Sequence, residues 1–260
     1  MLTLDRAGTH VTLAGVQIDS LGFAQVVDAV VQYASAEENS PEYVVTPNAH
    51  HVVLLQNDAR LREIYEHAFL VVPDGVPLLW AAKLLRLRLN GRVNGTDLLE
   101  SLCAESAKRE LRVYFLGGRP GAADAAANAL RKRYSNLQIC GTYSPPFGFE
   151  EDAGENALII EKIRGARPHI LFVGLGAPKQ EYWMYANCKR LSVPMSLGIG
   201  VSFEFLGGVV ARAPRWMQQA GLEWFFRLLA EPKRLWRRYI IGNVNFCLLI
   251  ARQVFARDAL

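Results

Sequence analysis

Asp74 is the residue best placed to do chemistry. It closes the apolar run Phe69-Leu-Val-Val-Pro and is followed by Gly75. A carboxylate at the end of a buried strand, half shielded by apolar walls, suits a general base because desolvation raises its proton affinity. The same position suits a loop aspartate that caps a helix beginning near Val76, and the residues alone leave the two readings level. Other runs close in a similar way, on Thr46-Pro47-Asn48, Gly117-Gly118-Arg119-Pro120-Gly121 and Gly174-Leu175-Gly176-Ala177-Pro178-Lys179-Gln180-Glu181. Glycine lets backbone approach a ligand closely, and helix N-termini present free N–H groups to phosphate. Two Gly-rich turns therefore point to a nucleotide or sugar-nucleotide. The nicotinamide fingerprint GxGxxG is broken after Gly174 and Gly176 by Lys179, and no Walker A loop occurs. His50 and His51 are adjacent, so on a helix they point about 100° apart and cannot share a metal face. Without HExxH, CxxC or paired DxD carboxylates, no catalytic metal is expected. A GxSxG nucleophile is missing too.

These residues need a scaffold. The runs beginning at Tyr43, Phe69, Arg112, His169 and Met195 are short, apolar and continuous, which suits strands buried on both faces of a parallel sheet. Between them the spacing predicts helices over Leu21–Ala34, Ala49–His67, Thr96–Arg109, Ala122–Tyr134, Asn156–Gly165 and Lys179–Leu191, with Ser20 and Thr96 as N-caps and Pro178 in a first turn. Alternating strand and helix gives a doubly wound α/β domain, a mostly parallel sheet with helices on both faces. Ligands of such sheets sit outside the carboxyl ends of the strands, where the polar closures lie. A chain that is 51% hydrophobic and 21% charged can bury the core this requires, which excludes disordered, collagenous and coiled-coil classes. Four scattered cysteines (Cys103, Cys140, Cys188, Cys247) speak against a disulfide scaffold and for a reducing compartment. The start MLTLDRAGTH lacks the basic and apolar regions of a signal peptide, so export is not expected.

The net charge of +4 is unevenly placed. From Arg212 onward nine basic residues face three acidic ones, leaving the preceding body slightly acidic. This divides the chain into a 1–210 body and a 211–260 basic, aromatic-rich appendage whose partner is an anionic surface. Leu222, Phe225, Phe226 and Leu229 recur on one helical face, and Leu235, Trp236, Tyr239 and Ile240 continue the spacing beside Arg234, Arg237 and Arg238. Such a helix fits an interfacial location on a membrane. The stretch Tyr239–Ala256 is interrupted by Asn243, Asn245, Arg252 and Gln253, so it reads as peripheral and not spanning. No helix-turn-helix, RRM or zinc signature supports nucleic acid as the partner. An apolar tail also leaves room for a second copy of the chain.

The ordered set Thr46-Pro-Asn-Ala-His50, Pro73-Asp-Gly-Val-Pro77, Arg92-Val-Asn-Gly-Thr-Asp97, Phe115-Leu-Gly-Gly118 and Gly174–Glu181, with the tail Arg212-Ala-Pro-Arg-Trp216, Gly221-Leu-Glu-Trp224, Glu231-Pro232 and Arg237-Arg-Tyr239, resembles the WecG/TagA/CpsF glycosyltransferases over about residues 11–245. The resemblance implies transfer of a sugar from a UDP-sugar donor to a polyprenyl-diphosphate-linked saccharide at the cytoplasmic membrane face, with inversion and without metal or other cofactor. The products feed teichoic acid, capsule or exopolysaccharide. By resemblance Asp74 matches the catalytic base, Thr46 and Gln180 match further active-site residues, and Asn48, Arg92, Asn94 and Lys179 lie in the motifs that line the cleft. Where many members have Asp in a nucleotide-contacting segment, this chain has Glu204 in Gly198-Ile-Gly-Val-Ser-Phe-Glu204. Departure of a diphosphate without metal calls for N–H groups and cations. Gly117, Gly118, Gly174 and Gly176 are the expected N–H donors, and Arg212, Arg215, Arg227, Arg234, Arg237 and Arg238 the candidate cations. A truncation ending near Ala211 is expected to become more soluble and to release membranes.

Overall fold

The computed structural model describes residues 10–37 and 39–258. Residues 1–9, where a leader was sought, lie outside them. A hairpin opens the fold, β1 (His10–Leu13) and β2 (Val16–Asp19). Ala14 and Gly15 turn it with φ of 48° and 80°, the conformation of a tight two-residue hairpin loop. The chain then runs through α1 (Phe23–Ser35), β3 (Glu42–Val45), α2 (Ala49–Asn57), α3 (Ala59–Glu66), β4 (Leu70–Val71), α4 (Val76–Leu84), α5 (Gly95–Lys108), β5 (Arg112–Gly117), α6 (Ala122–Arg133), β6 (Gln138–Tyr143), α7 (Ala153–Ala166), β7 (Ile170–Gly174), α8 (Lys179–Leu191), β8 (Met195–Gly198) and α9 (Ser202–Leu206). Six of these strands form one parallel sheet in the order β4-β3-β8-β7-β5-β6.

Period-two alternation explains why helices cover both faces. Tyr114, Leu116, Leu171 and Val173 point into a core built with α2, α3, α4, α7 and α8. Val113, Phe115, Ile170 and Phe172 point into the opposite core, built with α1, α5, α6 and α9. Strands buried on both sides carry no polar stripe, as the continuous apolar runs require.

Several boundaries differ from the sequence reading. The single helix expected over Ala49–His67 is two, because Asp58 accepts a hydrogen bond from Leu61 N–H and caps a new helix there. Asn94, not Thr96, caps α5 through Thr96 N–H and Asp97 N–H. The Ser20 hydroxyl bonds the Arg88 carbonyl, and α1 starts after Gly22. Strand β6 carries no long apolar run because it is the sheet edge, half exposed.

The C-terminal region continues as α10 (Arg215–Gln219), α11 (Glu223–Ala230), α12 (Pro232–Trp236), a π turn (Arg237–Ile241) and α13 (Gly242–Asp258). It is tied to the body. Phe246 and Ile250 of α13 are buried in the α2 face of the core, and Gln253 bonds both Ala14 N–H and the Thr12 carbonyl of the hairpin. Its outer residues stay in solvent, among them Leu229, Trp236, Ile240, Val244, Leu248 and Phe255. Pro232–Ala256 is long and apolar enough to cross a bilayer by length and composition.

Candidate active site

In a parallel sheet all carboxyl ends lie on one side, so the polar closures meet there. They line a cavity of about 990 Å³. The first turns of α2, α4, α5, α8 and α9 reach it, and each brings the positive end of a helix dipole. Residues of α11, α12 and the π turn, including Glu223, Trp224, Arg227, Leu235 and Arg238, form the remaining wall.

Asp74 lies in this cavity two residues beyond Val72. Its N–H donates to the Pro47 carbonyl at 2.7 Å, which holds the backbone beside the end of β3. Its carboxylate does not cap α4, whose N-cap is Gly75 with no side-chain bond. Instead Oδ1 accepts a hydrogen bond from Asn94 Nδ2 at 3.0 Å. Asn94 Oδ1 is occupied by the two N–H groups of the α5 cap and by Arg212 Nη2, so the amide has one orientation and its NH₂ must face Asp74. Burial pushes the Asp74 carboxyl up to about 6; the Arg92 guanidinium opposes this, the Glu223 carboxylate adds to it, and Asn94 and His51 offset it further.

A buried histidine stands next to it. His51 Nδ1 accepts the Asn48 N–H at 3.2 Å, and its Nε2 stands 3.5 Å from the fully buried Glu181. Glu181 Oε1 also accepts from Gln180 Nε2 at 2.9 Å, so Gln180 Oε1 is the atom that receives Gly200 N–H at 3.1 Å. The adjacent His50 is kept neutral by burial and by Arg238, its value lowered to about 4.

The cavity gathers Thr46, Asn48, Asp74, Arg92, Asn94, Gly118, Gly174, Gly176, Lys179, Gln180, Glu204 and Arg238 from the sequence-derived set. Many of their polar atoms are already engaged. The Thr46 hydroxyl donates to the Gly198 carbonyl at 2.9 Å. Asn48 caps α2 by accepting His50 N–H. Arg92 bridges Asp97 and Glu223. Lys179 pairs with Glu150. Glu204 Oε1 accepts Arg119 N–H, and its Oε2 is buried with no hydrogen-bond partner among the described residues.

Gly117, Arg212, Arg215 and Arg237 do not line the cavity. A Cβ on Gly117 would stand 2.6 Å from the Gly174 carbonyl at a φ of 108°, so this glycine lets the ends of β5 and β7 meet. The Gly118 N–H is spent on the Gly174 carbonyl at 2.8 Å and is not free for a ligand. Arg212 is held by Asp97 and Glu223, while Arg215 and Arg237 are exposed, the latter over the Trp236 ring. Of the candidate cations, Arg227, Arg234 and Arg238 line the wall. Arg234 pairs with Glu231, whereas Arg227 and Arg238 make no ion pair among the described residues. Arg238 Nε is buried without a hydrogen-bond partner, and burial lowers its proton affinity. The sequence reading gave no role to His51, Glu181 or Glu223; the last two stand in glycine-containing motifs, Gly174–Glu181 and Gly221–Trp224, which was the one signal available for them.

The family model described as the glycosyl transferase WecG/TagA/CpsF family matches residues 11–259. The chain belongs to this glycosyltransferase family. Among curated relatives, an N-acetylglucosaminyldiphosphoundecaprenol N-acetyl-beta-D-mannosaminyltransferase of Bacillus subtilis is 32% identical over 170 residues, 65% of this chain and 64% of its own length. Proteins of the same name from Bacillus spizizenii and Staphylococcus aureus are 29% identical over 78% of this chain and 77% of theirs, and 26% identical over 91% of each. In this member of the WecG/TagA/CpsF family the cavity around Asp74 takes residues from each of the five ordered motifs quoted from the body of the chain, while Arg212, Arg215 and Arg237 of the tail motifs lie outside it.

Proposed function

We propose that the protein is an inverting, metal-independent transferase that moves a hexose or N-acetylhexosamine from a UDP-sugar to a polyprenyl-diphosphate-linked saccharide in cell-surface polysaccharide biosynthesis. The observation that carries it is Asp74: a half-buried carboxyl, raised to about 6 by desolvation and oriented by Asn94, inside a cavity onto which five helix N-termini converge. Family membership and the names of the relatives support the acceptor class.

The step balances without a cofactor. The acceptor hydroxyl oxygen bonds the anomeric carbon as the bond from that carbon to the UDP oxygen breaks on the opposite face. Asp74 takes the hydroxyl proton and later releases it to solvent. The departing diphosphate gains charge, which Arg227, Arg238 and the helix N-termini would offset. Glu204 would contact the uridine or ribose end. Thr46 and Gln180 act through the backbone they hold, Gly198 and Gly200 at the end of β8. In this reading residues 211–260 dock on the cytoplasmic face of the membrane as a peripheral unit; the anchoring of Phe246 and Ile250 in the body supports a surface position for α13.

The test is transfer itself. UDP-sugars are screened for thermal stabilisation of the protein, and the best donor is offered in radiolabelled form with a prenyl-diphosphate-linked N-acetylglucosamine, with and without EDTA. Label entering the lipid phase undiminished by EDTA is expected. Stabilisation without transfer to any such acceptor would make the protein a non-catalytic UDP-sugar-binding partner; no stabilisation by any UDP-sugar would remove the donor class.

A further inference from the structure

Helix α4 has an outer face that the cavity does not use. Trp80, Lys83 and Leu84 stand at i, i+3 and i+4, one side of a helix, and Trp80 is 54% and Leu84 63% exposed. The chain from residue 75 to 93 contains Lys83, Arg86, Arg88 and Arg92 and no acidic residue. Lys83, Arg86 and Arg88 are exposed and make no ion pair among the described residues. A Cβ on Gly221 would stand 2.8 Å from Val76 Cβ and 3.1 Å from Trp80 Cζ2, so this face adjoins the turn between α10 and α11. Those helices expose Trp216, Phe225 and Leu229. Exposed apolar side chains beside cations that make no ion pair suit an anionic, apolar partner.

We propose that the exposed face of α4 is a second bilayer-contacting surface, docking on anionic lipid beside the C-terminal helices. A tryptophan with its ring in the headgroup layer and basic side chains reaching phosphate is the chemistry of an interfacial helix. Val76, at the start of α4, and Gly221 both line the cavity. A contact on α4 and a contact on the tail therefore flank the mouth and fix its tilt toward the bilayer, where one contact would leave the body free to rotate. The inference rests on the membrane location proposed above, but it is tested separately.

The experiment measures sedimentation of the full chain with phosphatidylcholine vesicles, with and without phosphatidylglycerol. Two doubly substituted variants are compared, Lys83→Gln with Arg86→Gln and Trp80→Ser with Leu84→Ser, their folding checked by circular dichroism and by stabilisation with UDP-sugar. At about 1 kcal/mol per basic residue near an anionic leaflet and tenfold per 1.4 kcal/mol, the charge variant loses about 30-fold in partitioning to anionic vesicles. The apolar variant weakens binding at every salt concentration. In the unaltered chain, hydrogen exchange of residues 76–89 slows when anionic vesicles are added. Partitioning unchanged in both variants, with tail binding intact, overturns the α4 contact alone. Absence of vesicle binding by the unaltered chain overturns the membrane location as well. Loss of self-association in place of lipid binding makes this face a contact between two copies and overturns the proposal.

Discussion

At Asp74 two influences oppose each other: burial favours the protonated carboxyl, while Asn94, Arg92 and His51 favour the carboxylate. Burial wins by enough to bring the group to about 6, the range in which a base is ionised at neutral pH yet still holds a proton well. Replacing it, Asp74→Asn, keeps the volume and should leave the proposed UDP-sugar binding intact. It should lower turnover by roughly 10²-fold or more, the scale of losing a general base, as single-turnover kinetics would show. In the proposed mechanism Asp74 acts as the carboxylate, so kcat/KM should rise with pH, level above about 6, and lose this acid limb in the variant. Stability runs the other way. A carboxyl whose folded value lies above its unfolded one of about 4 is destabilising once ionised, by on the order of 3 kcal/mol well above pH 6 and by nothing well below pH 4. Asp74→Asn should therefore melt higher than the unaltered protein at pH 8, with the difference closing as pH falls toward 4. An equal or lower melting temperature at pH 8 would mean the carboxylate is better solvated than its surroundings indicate.

Among the elements, α5 ties Asp74 to the scaffold. Its cap, Asn94, serves two backbone N–H groups, Asp74 and Arg212 at once. Asn94→Ala should cost about 1–2 kcal/mol of stability through the lost cap. It should also move the acid limb of the pH–rate profile upward, since a donor to the ionised form is gone. A merely structural cap would shift the melting temperature and leave that limb in place. Gly117 tests a different element contact. Gly117→Ala puts a methyl into the Gly174 carbonyl at a backbone conformation that side chains rarely adopt, and it should destabilise strongly by thermal melting. The sequence showed that glycines would cluster at these strand ends. It did not show which of them serve strand packing, because glycine required by a neighbouring strand and glycine required by a ligand leave the same letter.

For the whole molecule, the tail is a wall of the cavity and, in the proposed reading, the membrane contact. It contributes Glu223, Trp224, Arg227 and Arg238 to the cavity and buries Leu235, Phe246 and Ile250. A truncation after Ala211 would uncover apolar surface on α2 and open the site. The expected result is a lower melting temperature and lost UDP-sugar stabilisation, not the simple gain in solubility that composition suggested. Membrane contact is better tested with the wall intact. Leu229→Gln with Leu248→Gln changes two exposed residues, and it should leave the melting curve within about 0.5 kcal/mol of the original, as surface substitutions do, while weakening vesicle binding.

Periodicity and strand closures in the sequence by themselves determined the parallel α/β architecture, the side of the sheet on which the candidate site lies, and the closures that supply Asp74 and Gln180, while Asn94 came only with the family resemblance. These are local signals, legible because buried strands must be apolar and a helix must start from a cap. Only the tertiary structure decided that Arg212 is spent on Asp97, that Arg238 faces the cavity and Arg237 does not, and that Glu181 and His51 share a buried corner. Those outcomes depend on which partners the fold brings within a few ångströms, and residues separated by more than a hundred positions carry no mark of one another in the chain.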